Sequence, residues 1–162
     1  MKKKNLLVLG VFLLLIGQGF GYGAKKGGII SNFGFGASTI SLEYDNLIFK
    51  ETWTSVALDI NIISKEGFSL AFGDLISFEV GTGIAQNLYI GLGYHFLENQ
   101  WSLGANLVAS PDGDDCLVGV KLMGSYWFTE SLGLSATLLY GRGVAFSDVS
   151  LFNVQAGISV RI

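Results

Sequence analysis

The stretch FNVQAGISVRI (152–162) decides the fold. Phe152, Val154, Ala156, Ile158, Val160 and Ile162 are apolar, and Asn153, Gln155, Gly157, Ser159 and Arg161 stand between them. A period of two places one set on each face of a β-strand. One face is greasy and the other is small or polar. The fold follows from which of them meets water.

The same alternation recurs upstream, with short polar turns between the copies. Leu132, Leu134, Ala136, Leu138 and Tyr140 form one apolar file, and Cys116, Val118, Val120, Leu122, Gly124, Tyr126 and Phe128 another. Trp101 to Ala109, Leu88 to Phe96 and Val56 to Ile62 repeat the pattern. Phe68, Leu70, Phe72, Ile76, Phe78 and Val80 keep one phase with a single offender, Asp74. The first strand changes phase between Phe33-Phe35-Ala37 and Ile40-Leu42-Tyr44, and a β-bulge near Ser38-Thr39 would reconcile the halves. A second bulge at Gly73-Asp74 would turn the carboxylate inward or towards a partner. These runs predict eight strands. Real turns at Ser38-Thr39 and Gly73-Asp74 would give ten, but the new strands would be too short to span a bilayer comfortably.

Composition says what covers the greasy face. Of 162 residues, 50% are hydrophobic and only 14% charged, against about 25% in an ordinary soluble domain. The intervening file is largely Gly, Ser, Asn, Thr and Ala. Such a file cannot solvate an exterior, but it fits a narrow interior. The aliphatic file is continuous, and aromatic residues gather near its ends: Tyr44, Trp53, Tyr94, Phe96, Trp101, Tyr126, Phe128 and Phe152. That is the girdle pattern of a membrane barrel. The greasy face is expected to meet lipid. A closed barrel must pair its last strand with its first, so the chain is expected to end where the barrel closes.

The N-terminus reads as an export signal. Lys2-Lys3-Lys4 is a basic region, Leu6 to Ile16 an apolar one, and Gly17 to Ala24 is rich in small residues. Residues 1–24 are therefore expected to be a Sec signal peptide and 25–162 an outer-membrane barrel domain of a diderm cell envelope. Without Lys2 to Lys4 the chain holds 7 basic side chains against 13 acidic ones, a net of −6, which argues against nucleic acid. The single cysteine, Cys116, cannot close an internal disulfide.

YWFTESLGLSATLLYG (126–141) resembles the aromatic-turn-LGL hairpin of bacterial outer-membrane β-barrel domain proteins, and GYHFLENQWSLG (93–104) repeats it. The terminal FNVQAGISVRI is similar to the strand that the barrel assembly machinery recognises in that family, although Ile162 stands where an aromatic residue is usual. The likeness is to small OmpX-like and OmpA-transmembrane-like barrels. It implies an eight-stranded antiparallel up-and-down transmembrane barrel with both termini in the periplasm. Its partners would be outer-membrane lipid or lipopolysaccharide, and the assembly machinery during biogenesis. The barrel is expected to be a monomer without a cofactor. SKE (64–66), ENQ (98–100) and TES (129–131) read as periplasmic turns, and DNLIFKET, SPDGDD and SDVS as longer outer loops.

Candidate chemistry is sparse. Glu43, Asp59, Glu79, His95, Lys121 and Arg161 are expected inside the lumen as a polar network. Asp59 and Lys121, at mid-height on opposite strands, are the first pair to consider, because a buried charge must find a partner. His95 is the lone histidine and falls beside a periplasmic turn, the wrong end for a hydrolase of outer-leaflet lipid. Asp112, Asp114 and Asp115 could hold a divalent ion, although solvated Asp/Gly turns are common. Arg142 could snorkel to lipid phosphates. The expectation is a non-catalytic membrane or surface protein with a filled lumen. The alternative is a narrow porin or an OmpW-like conduit for small or hydrophobic molecules.

Overall fold

The computed structural model describes residues 27–44, 47–79, 83–98, 100–112, 115–144 and 149–162. They form one closed antiparallel barrel with each strand bonded to the next and the last to the first. The strands are β1 (Gly28–Tyr44), β2 (Leu47–Ile63), β3 (Phe68–Glu79), β4 (Gly83–Leu97), β5 (Trp101–Asp112), β6 (Asp115–Trp127), β7 (Leu132–Gly143) and β8 (Val149–Arg161). No helix among the described residues is long and apolar enough to cross a membrane. The residues assigned to a signal peptide, 1–24, lie outside the described ones.

FNVQAGISVRI closes the ring. Val160, Ile158 and Ala156 pair with Ser31, Phe33 and Phe35 of β1, and Ile162 exchanges two 2.9 Å backbone bonds with Ile29. The rim holding Gly28 and Arg161 also carries the short turns. In the first, Gly67 adopts φ 94°, a left-handed conformation that a side chain would strain, and its N–H bonds to the Ser64 carbonyl at 3.1 Å. In the third, Thr129 Oγ1 accepts the Leu132 N–H at 2.9 Å.

Neither expected bulge forms. β1 stays in one register with β2 from Gly28↔Ile63 to Tyr44↔Leu47, and β3 does so with both its neighbours. Ser38-Thr39 and Gly73-Asp74 lie inside unbroken strands, which also removes the ten-strand alternative. The phase change in β1 has another cause. Ile40 keeps to the inward file and packs on an apolar cluster in the lumen. The alternation runs on without a break, so Glu43 falls on the outward file with Phe33 and Phe35, and Leu42, the last β1 residue paired with β8, is exposed at the far rim.

DNLIFKET and SPDGDD are mostly strand rather than loop. β1 and β2 run for 17 residues each, against 12 in β3, β5 and β7. Among the described residues β2 pairs with β3 only from Thr54 onward, and residues 47–53 pair with β1. They stand above the far rim as a hairpin arm.

A closed ladder keeps its backbone bonds internal, where detergent cannot compete for them easily. Refolded protein should therefore run differently on an SDS gel before and after boiling. Identical mobility would contradict the closed barrel.

Candidate functional site

The lumen is where ionisable side chains converge. An eight-stranded barrel is just wide enough for side chains to fill. It is layered here. Towards the terminal rim, Ile30, Ile63, Met123 and Trp127 form an apolar cluster. Towards the far rim, Ala57, Leu75, Tyr89, Val108, Leu117, Leu139 and Leu151 form a second. A polar belt lies between them. The lumen is thus filled by apolar residues at both ends, where the sequence pointed to polar ones alone.

Lys121 sits at the centre of the belt, 0% exposed. Its Nζ lies 3.2 Å from Asp59 Oδ1, across the lumen from β6 to β2, and donates to Asn61 Oδ1 at 3.4 Å. The ammonium also lies 5.1 Å from the centre of the Tyr89 ring, a cation–π contact. The register explains how these meet. Gly73 pairs with Asp59 on one side and with Tyr89 on the other. A Cβ on Gly73 would collide with the Tyr89 ring and Asp59 Oδ1. Its absence lets both side chains lean over β3 towards the lysine. Asn61, Tyr89 and Gly73 are not apparent from charge. Their only sequence signal is a large inward residue beside an inward glycine.

The other expected members fall differently. His95 is buried with Nε2 3.3 Å from Asn106 Nδ2, and Asn106 Oδ1 accepts from Ser69 Oγ at 2.7 Å. Gly104 makes room for the His95 ring, since a Cβ there would strike it. Arg161 does not join Lys121. It caps the terminal rim, with its guanidinium 4.7 Å from the Trp127 ring centre and Nε donating to the Glu130 carbonyl at 3.0 Å. Glu43 is not in the lumen either: without a bulge it keeps the parity of Phe33 and Phe35 and is exposed on the outward file. The side chain of Glu79 lies outside the described residues, as do those of Tyr44, Asp112, Asp114 and Asp115. Two further buried groups are uncharged, one level with the far cluster and one beside the terminal cluster. Asn153 Nδ2 donates to Ser38 Oγ at 3.0 Å and Ser55 Oγ at 2.8 Å, and Ser77 to Ser38 at 2.9 Å. Asn32 meets Ser159 and the Met123 sulfur.

Most of the expected aromatic girdle faces outward near the terminal rim. Phe96 stacks on Trp101 at 5.4 Å, and Tyr126 meets Phe128 edge-on at 5.6 Å. Tyr94 packs edge-on against Phe68 at 5.8 Å. Phe152 is exposed near the far rim, paired with Tyr140. Trp53 departs from the set. It shares the face of β2 that carries Ser55 inward, and its Nε1 donates to Glu51 at 3.2 Å in the hairpin arm. Arg142 is exposed on the outward file near the far end of β7. Asp74 also stays on the outward file, and its carboxylate is held by Gln86 Nε2 at 2.7 Å.

The fold is shared with known barrels. The chain is similar to Neisserial surface protein A (TM-score 0.59, 14% identity, over 83% of this chain and 97% of that one). It is similar to Ail, the attachment invasion locus protein of Yersinia pestis (0.53, 12%, 82% and 98%). The N-terminal β-barrel domain of Pseudomonas aeruginosa OprF also matches (0.52, 15%, 83% and 97%). All three are small eight-stranded outer-membrane barrels, and at these identities the likeness is one of fold. No protein-family model and no curated protein matches the chain.

Removing one partner of a buried ion pair leaves the other charge dry and unpaired, which costs about 3–5 kcal/mol. Lys121→Met should destabilise the barrel on that scale in urea unfolding from detergent micelles. Combined with Asp59→Asn it should cost clearly less than the two single changes added together. Strict additivity would show that the two side chains do not depend on each other.

Proposed function

We propose that this chain is an outer-membrane barrel with a sealed lumen and a non-catalytic structural or surface role, exported by its N-terminal signal. In this reading the terminal rim faces the periplasm and the hairpin arm faces outward. Lipid or lipopolysaccharide covers the apolar wall, Arg142 reaches its phosphates, and the barrel assembly machinery receives the last strand.

The observation that carries this reading is the layered filling of the lumen. Lys121 and Asp59 close the middle, and an apolar cluster lies on each side. An apolar constriction resists wetting, so an ion would meet two dry barriers and a fixed charge pair. The void among Tyr89, Val108, Leu117, Leu139 and Leu151 measures about 20 Å³. That is room for about one water molecule. It is not a conduit.

The hairpin arm supports a role at the surface. Leu47, Ile48 and Phe49 are 60%, 61% and 56% exposed on a strand segment that reaches beyond the described β2–β3 ladder. Exposed apolar residues grouped in this way mark a surface that another molecule can cover. The fold neighbours include proteins described by surface location and by attachment and invasion, which agrees with this reading.

Purified protein in planar lipid bilayers should give no discrete current steps. A regular unitary conductance would replace the sealed barrel by the narrow-pore alternative.

A further inference from the structure

The two faces of β1 and β2 exchange character at the far rim. Lower in the wall, Phe33 and Phe35 face outward and are exposed, while Asn32 and Ser38 face inward and are buried. The register is unbroken, so above Ser38 the inward parity falls on Ile40 and Leu42 of β1 and on their partners Glu51 and Phe49 of β2. The outward parity falls on Thr39, Ser41 and Glu43, opposite Thr52, Lys50 and Ile48. Apart from Ile48, the arm is polar outside. Its inner face, above the lumen mouth, is largely apolar.

That inner face continues the filling of the lumen. Ile40 packs on the far apolar cluster, and so does Val149 of β8, the partner of Leu42. Above them Leu42 and Phe49, paired with each other, are 49% and 56% exposed. Glu51 stands between these levels. Its carboxylate accepts the Trp53 Nε1–H at 3.2 Å, and Trp53 is half-buried on the same face. Among the described residues no cation lies within ion-pair distance of Glu51.

We propose that the inner face of the arm binds a small organic cation with an apolar body, of the aryl- or alkylammonium class. The inference deepens the surface role above by naming what that surface takes, and it rests on the sealed lumen, which supplies the floor. An indole beside a carboxylate suits an ammonium, because the ring and the anion both attract positive charge. The indole N–H holds one carboxylate oxygen and leaves the other for the ligand. Leu42 and Phe49 cover the apolar body, and Ile40 and Val149 lie beneath it. The void within the far cluster, about 20 Å³, takes about one water molecule, so the ligand rests on the mouth and does not pass through it. An organic anion is repelled by Glu51. A cation without an apolar body leaves Leu42 and Phe49 in water.

The test uses the full chain in phosphatidylcholine nanodiscs with Trp101→Phe, which leaves Trp53 and the buried Trp127 as the emitting tryptophans. Benzyltrimethylammonium is the probe, and a saturable change in tryptophan emission is expected. Phenylacetate should give no saturable change. Phosphocholine, the lipid headgroup without an apolar body, should need at least about ten times the concentration. Glu51→Gln and Phe49→Ser should each weaken the probe about tenfold. Ile48→Ser, on the outer face of the same strand, should leave its affinity within about twofold. Each variant is first shown to keep the heat-dependent gel shift, which separates loss of binding from loss of the barrel. No saturable change with the probe, an equal response to phenylacetate or phosphocholine, or an affinity unmoved by Glu51→Gln overturns the site. Discrete current steps in planar bilayers are a separate failure. They would remove the sealed lumen, and with it the floor that this site needs.

Discussion

A backbone amide facing hydrocarbon has no water to fall back on, and every feature of this chain follows from that constraint. Eight strands in unbroken register pair every neighbour, and β8 pairs with β1 over Ile30↔Arg161 to Leu42↔Val149. A bulge would leave one residue out of the ladder, and the wall has none at either place where the sequence suggested one. Towards the far rim, among the described residues, the ladders thin out: β2 pairs with β3 only from Thr54, and β4 with β5 only from Ile90.

Closure with eight strands fixes the width, and the width fixes the chemistry inside. Large inward residues can be accommodated only beside small ones, so Tyr89 and Asp59 lean over Gly73, and His95 fills the space of Gly104. The ammonium of Lys121 cannot reach solvent from mid-lumen. It is satisfied by a carboxylate, an amide oxygen and a ring face instead. A buried ion pair adds little net stability over an apolar filling, but it strongly penalises arrangements that separate its members. The pair therefore fixes how β2 and β6 stand across the lumen. The apolar clusters above and below keep it dry.

Much of this was legible in the sequence, because a period of two is a direct image of a two-faced wall. Strand number, the outward aliphatic file and the inward position of Asp59 and Lys121 all follow from alternation alone. What alternation does not carry is height. Ile40 looks out of phase only if β1 is assumed to face lipid along its whole length, and Glu43 looks inward for the same reason. Trp53 was counted with the girdle by residue type, although its parity with Ser55 places it on the inner face. Tyr89 and Asn61 are not legible in this way, because an uncharged residue in the lumen file gives no sign of which charge it will meet two or four strands away. That depends on barrel closure, not on local pattern.

Asp74 and Lys121 are two answers to one problem. Both place an ionisable group where water is scarce, and both are held by side chains from other strands. Inside the lumen the surroundings are complete: Lys121 has partners on β2 and β4 and is fully covered. On the wall they are not, because a side chain facing outward can be covered only by neighbours on the same curved surface. Gln86 is such a neighbour, two positions from Leu88, the residue paired directly with Asp74. It satisfies one carboxylate oxygen and leaves the other, turned into the wall, without a hydrogen bond. The same charge that the lumen surrounds on several sides is met on the wall from one side only, because curvature turns the neighbouring strands away.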